Sequence, residues 1–204
     1  MSRLFGLIIA CFLLGGAQVS AAQGSLRVGG GAAVPLSPTL VQEVTRPGVG
    51  AEMGVHLPVR PWLRLAPTVA YRRAQVNRSW AGGRPTMTMT SGTVDVHLVS
   101  PQTVGGVRPY ALVGTGGYHV DNVPGRRGGI CALVAGVPCS DEEVTVDAGL
   151  RLGLRLGGGL TLRATSRVQV FGDVRYEHVN PAPEVGDGGR FSSLSAHTGV
   201  LVSW

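Results

Sequence analysis

The chain has 204 residues, of which 44% are hydrophobic, only 15% are charged and 32 are glycine. Its formal charge of +6 comes from arginine alone, and most of those arginines stand singly along alternating segments. That spacing excludes the clustered basic face with aromatic platforms on which nucleic-acid binding depends.

The first segment is an export signal. Met1-Ser2-Arg3 is a short basic lead, Leu4 to Leu14 is apolar, and small residues follow at Val19/Ala21 or Ser20/Ala22. The apolar run is shorter than the roughly 20 residues a membrane helix needs, so residues 1–22 read as a cleaved secretory signal and 23–204 as one mature domain. Cys11 belongs to the signal core. Export leaves Cys131 and Cys139 in "CALVAGVPC", an even pair that reads as a disulfide closing one small loop in an oxidising compartment. Neither has a second Cys or a His at ligand spacing, so zinc is not indicated, and no residue set calls for a metal or a cofactor.

From residue 24 onward the pattern has period two, with no comparable helical periodicity. Val49 to Leu57 alternate with Gly50, Glu52, Gly54 and His56; Leu63, Leu65, Val69 and Tyr71 alternate with Arg64, Ala66, Thr68 and Arg72. Val94, Val96 and Leu98 oppose Asp95 and His97, while Tyr110, Leu112, Tyr118 and Val120 share a face with Gly114 and Gly116. The longest run places Val144 to Leu162 on even positions, opposite Asp147, Arg151 and Arg155, and it continues unbroken through "LGGGL" at 156–160. Then Val168, Val170, Val174 and Tyr176 oppose Phe171, Asp173, Arg175 and Glu177. The spacing predicts an all-β chain of eight strands, near 24–34, 47–57, 62–73, 88–99, 106–120, 143–164, 167–178 and 193–204. Short connections near 58–61, 100–105 and 165–166 fall at one end with both termini. Long ones, at 35–46, 74–87, 121–142 and 179–192, fall at the other.

The chemistry of the two faces decides what such a sheet encloses. A soluble sandwich or lipocalin-like protein buries large apolar residues and turns polar ones to water. Here the non-apolar face holds Gly, Ala, Thr and charges of both signs: Glu52, Arg64, Asp95, Asp147, Arg151, Arg155, Asp173, Arg175 and Glu177. An eight-stranded barrel has an interior just wide enough to be filled by side chains, and small residues with paired charges suit it. The apolar face then meets lipid. Leu150, Leu152 and Leu154 are expected to point outward, and Arg151, Arg155 and Arg175 inward near Asp147, Asp173 and Glu177. Trp62, Tyr110, Tyr118, Tyr176 and Trp204 lie near strand ends, where interfacial aromatic girdles form. The acidic stretch Asp141-Glu142-Glu143, with Asp121 and Asp187, reads as solvated loop rather than a preformed Ca²⁺ site.

The last stretch, "SAHTGVLVSW", is a strand that runs to the final aromatic, as a barrel requires when its last strand pairs with its first. "HTGVLVSW", "RPYALVGTGGYHV" and "GGGLTLRATSRVQVFGDVRYEHV" resemble the small bacterial outer-membrane β-barrels of the OmpA/OmpX type. The resemblance implies an eight-stranded antiparallel up-and-down transmembrane barrel in the bacterial outer membrane, with short periplasmic turns and longer extracellular loops. It also implies that Trp204, preceded by Val202 and Val200, serves as the signal to the barrel-assembly machinery. The expected partners are that machinery and outer-membrane lipids, for a monomer with a structural or surface-interaction role and no enzymatic activity. A narrow pore for small solutes is the alternative. A lipid A-modifying hydrolase is a third reading, resting on Ser195 and His197, two apart on one inward face.

Overall fold

In a computed structural model the described residues are 24–37, 45–75, 86–121, 123–127, 142–146, 149–180 and 191–204. Among these described residues there are ten strands: β1 (Ser25–Ser37), β2 (Gly48–Arg60), β3 (Leu63–Gln75), β4 (Thr86–Val99), β5 (Val107–Asp121), β6 (Val123–Arg127), β7 (Glu142–Val146), β8 (Gly149–Arg163), β9 (Val168–Val179) and β10 (Phe191–Ser203). Eight of them close into a barrel in the order β1-β10-β9-β8-β5-β4-β3-β2. Every neighbouring pair is antiparallel. The closing seam pairs Ser25 with Ser203 and runs up to Val34 opposite Leu194, and the Trp204 amide donates to the Gly24 carbonyl at 3.3 Å. No barrel strand is left with an open edge, the condition for placing a sheet in lipid.

The connections divide by length. β2 and β3 are joined through residues 61–62, β4 and β5 through 100–106, and β8 and β9 through 164–167, all at the end that bears both termini. Between β4 and β5, Val104 and Val107 exchange backbone hydrogen bonds of 3.1 and 3.0 Å across Gly105 and Gly106, whose φ angles are +59° and +81°. A two-residue hairpin with φ positive at both positions suits the twist of its strands and requires glycine-like residues.

The expected strand at 143–164 is two elements. β8 runs uninterrupted through 156–160 but begins at Gly149, whose φ of +63° breaks the extended chain. The preceding segment, β7, pairs with β6 as a separate two-stranded ribbon outside the barrel closure. The even-position valines at 144 and 146 keep the parity of β8, so periodicity alone runs across the break.

All eight barrel strands turn large apolar side chains outward. They include Val28 of β1, Met53 of β2, Val69 of β3, Val94 of β4, Val113 of β5, Val174 of β9 and Leu194 of β10. On β8, Leu150, Leu152, Leu154 and Leu156 are 58–70% exposed. An apolar belt that encircles the sheet exceeds the isolated patches that a water-facing surface carries, and it is the exterior of a transmembrane barrel. Trp62 and Trp204 stand exposed at the terminal end and Tyr71 towards the other.

Candidate functional site

The interior is a network of charge. Arg27 (β1), Arg72 (β3), Arg155 (β8) and Arg175 (β9) are buried in the lumen with Glu52 (β2), Asp95 (β4), Asp173 and Glu177 (both β9). Among the described residues, these four guanidinium groups meet four carboxylates. Arg175 donates to both Glu52 oxygens, Nη1 to Oε2 at 2.5 Å and Nη2 to Oε1 at 2.8 Å, and from Nε to Asp173 Oδ1 at 2.8 Å. Arg27 bridges the same two acids from the other side, Nε to Glu52 Oε1 at 2.8 Å and Nη2 to Asp173 Oδ2 at 2.5 Å. Its guanidinium also lies 3.4 Å over the Phe171 ring. Arg155 holds Asp95 with two donors, its Nε at 2.5 Å from Oδ1, and its Nη1 is 4.0 Å from Glu177. Arg72 grips Glu177 in the same forked manner, with Nη2 at 2.8 Å from Oε1. Planar forks matched to carboxylates explain why arginine serves throughout, because an ammonium cannot satisfy two oxygens at fixed geometry.

Glycines make the room. Gly114 of β5 lies in register between Asp95 of β4 and Arg155 of β8, and the ion pair passes over it. A Cβ there would stand 2.9 Å from Asp95 Cγ. Gly157 of β8 is opposite Arg175, where a Cβ would come within 3.1 Å of Arg175 Cγ. Small residues beside long charged ones give the lumen the close packing of an interior.

The tyrosines expected in girdles are part of this filling. Tyr110 and Tyr118 are 7% and 0% exposed and face inward, because β5 turns its even positions to the lumen. The Tyr110 hydroxyl donates to Asp173 Oδ2 at 2.6 Å and accepts from Arg27 Nη1 at 3.4 Å. Arg27 and Arg72 were absent from the expected set of lumen charges. Arg72 already stood on the polar face of the β3 alternation, and Arg27 could have been found from Leu26 and Val28 flanking it. Arg64 and Arg151 share lumen parity but sit half-buried towards the two ends, outside the central cluster. Arg155, expected beside Asp147, Asp173 and Glu177, has Asp95 as its main partner. Asp147, the pair Cys131 and Cys139, Asp141, Asp187 and the signal 1–22 lie outside the described residues.

Ser195 and His197 do not form a nucleophile and base. Both are buried, but the Ser195 hydroxyl donates to the Arg175 carbonyl at 3.4 Å. His197 Nε2 accepts from Arg72 at 3.4 Å, and its Nδ1 lies 3.4 Å from Glu52. The imidazole is therefore turned to the ion-pair network.

No protein-family model matches the sequence, and no curated protein matches it. Solved structures do. The chain is similar to Neisserial surface protein A (NspA), with a TM-score of 0.62 and 15% identity over 89% of this chain and 97% of that one. It is also similar to the outer membrane protein OprG from Pseudomonas aeruginosa, with a TM-score of 0.56 and 9% identity over 90% and 96% of the respective chains. At such identities the likeness is one of architecture. The closed antiparallel eight-stranded barrel, filled with charge and belted with apolar residues, is the fold of the small outer-membrane β-barrel proteins.

Proposed function

We propose that the protein resides in the bacterial outer membrane as a non-conducting, non-enzymatic barrel with a structural or surface-interaction role. The end bearing both termini faces the periplasm, and the long connections are at the cell surface. The observation that carries this reading is the lumen itself. Arg27, Arg155, Arg175, Glu177, Tyr118 and Phe171 are all under 2% exposed. A water-filled channel would leave its lining side chains accessible, and in this barrel they are closed off from water. Refolded protein in planar bilayers is expected to give no unitary currents. Stable current steps would replace this reading with the narrow pore. Cells overproducing the protein should keep an unchanged lipid A mass, since the serine and histidine that could suggest a hydrolase are held by arginine and backbone.

We also propose that Trp204, with Val202 and Val200, is read by the assembly machinery. These three side chains are exposed on the outer face of the closing strand. Deleting Trp204 should leave far less heat-modifiable barrel in the membrane than changing Phe191, which is buried in the lumen. Equal yields from the two variants would refute the role.

A further inference from the structure

The carboxylates of this protein are distributed unevenly along the barrel axis. Four lie in the central network, and the other Asp and Glu residues fall in the long connections or at the strand ends that bear them. The terminal end, covering residues 57–65, 97–110 and 160–170, has no Asp or Glu side chain at all. It has arginines instead. Arg64 and Arg108, the second residues of β3 and β5, and Arg163, the last of β8, all fall on the lumen-side parity of their strands, and Arg167 follows in the β8–β9 turn. In register Arg64 stands opposite His97 of β4, and Arg108 stands opposite Thr161 of β8, two residues from Arg163 on the same face. Among the described residues Arg108 donates only from Nε, to Thr103 Oγ1 at 3.3 Å.

Beneath this rim the floor is aromatic. His56 packs edge-on against His97 with ring centroids 4.6 Å apart, and His97 stacks on Tyr110 at 5.2 Å. His56 is 3% exposed and points into the lumen, yet among the described residues neither ring nitrogen has a hydrogen-bond partner. A buried imidazole with both nitrogens unpaired costs stability unless something supplies a partner. Arg64 stands opposite His97, the ring against which His56 packs.

We propose that this mouth is a binding site for a phosphoryl oxyanion, held by Arg64, Arg108 and Arg163 and accepting a hydrogen bond from His56. The chemistry fits on three counts. Guanidinium forks match the oxygens of a phosphate. A neutral imidazole offers one N–H donor to an anion. No Asp or Glu side chain stands in the rim itself, and Asp95, 4.0 Å from His97, is already held by Arg155. The site is independent of whether the lumen conducts, because the ion-paired network lies above it.

The phosphoryl group can come from a soluble anion or from an anionic lipid headgroup, and the test separates the two. In detergent micelles, inorganic pyrophosphate is titrated at constant ionic strength while the histidine ring resonances are followed by NMR. His56 and His97 should shift saturably. His119, paired with Asp121 at 2.9 Å near the opposite end, should not move. In a second arm the protein is placed in nanodiscs of phosphatidylcholine with or without phosphatidylglycerol. A shift of His56 on adding phosphatidylglycerol assigns the lipid headgroup, and a shift with pyrophosphate alone assigns the soluble anion. The pair Arg64→Gln and Arg108→Gln should weaken binding by about tenfold or more, as expected when charge-assisted hydrogen bonds are lost. Heat-modifiability checks that this variant is folded, and the wild-type titration stands without it. Three results would overturn the proposal: no saturable shift in either arm, equal movement of His119, or undiminished binding by the double variant.

Discussion

Glu52→Ala is expected to be the most damaging single change in the lumen, lowering stability by about 3–5 kcal/mol. Glu52 accepts from two guanidinium groups, Arg27 and Arg175, and its removal leaves both with Asp173 as their shared acid. The loss is dominated by the stranded positive charge, because a buried cation without a partner cannot recover its hydration. Charge balance is then the sharper test. In the double variant Glu52→Leu with Arg175→Met, Arg27 keeps Asp173, and the other two pairs, Arg72–Glu177 and Arg155–Asp95, are untouched. Replacing a buried pair by apolar groups is often close to neutral. The double variant should therefore be more stable than either single one in urea titrations of vesicle-inserted protein followed by tryptophan fluorescence. If the double variant loses the sum of the two single losses, balance is not what the lumen requires.

The alternation that built this barrel was legible in the sequence because a barrel strand has only two environments, lipid and lumen. β2, β3, β8 and β9 each keep one parity along their length, and the polar members of that parity face inward; β4 does so from Val94 to Leu98, whereas nearer its start Met87 and Met89 turn inward and Thr90 outward. β5 misled for a physical reason. Its lumen face carries Tyr110, Leu112, Tyr118 and Val120, all apolar enough to resemble a lipid face. The corrective signal was Gly114 and Gly116 on the same parity, since glycine is needed where Asp95 and Arg155 cross and not where lipid is met. Arg27 was hidden because "SLRVGGG" alternates for only one cycle before glycine occupies both faces. The pairing of each arginine with its acid could not be read from the sequence at all. Arg155 and Asp95 are brought together by the order and stagger of β4, β5 and β8, which periodicity within one strand does not encode.

Leu156→Arg should cost about 2–4 kcal/mol in lipid, the expected penalty for arginine on a lipid-facing position at mid-depth. Leu156 lies at the centre of the outward leucines of β8, between Val113 of β5 and Tyr176 of β9, and it is 58% exposed. Its backbone bonds are unaffected by the change, so the cost measures what surrounds the side chain. The same substitution at Leu150, near the strand end, should cost no more than about 1 kcal/mol, because the guanidinium reaches the headgroup region there. The gradient between the two positions is more telling than either value. A soluble barrel would gain solubility from both arginines and show no dependence on depth. Refolding titrations into vesicles for the two variants therefore read the membrane directly. Equal costs at Leu150 and Leu156, or a stabilisation at both, would mean that the apolar belt does not face lipid.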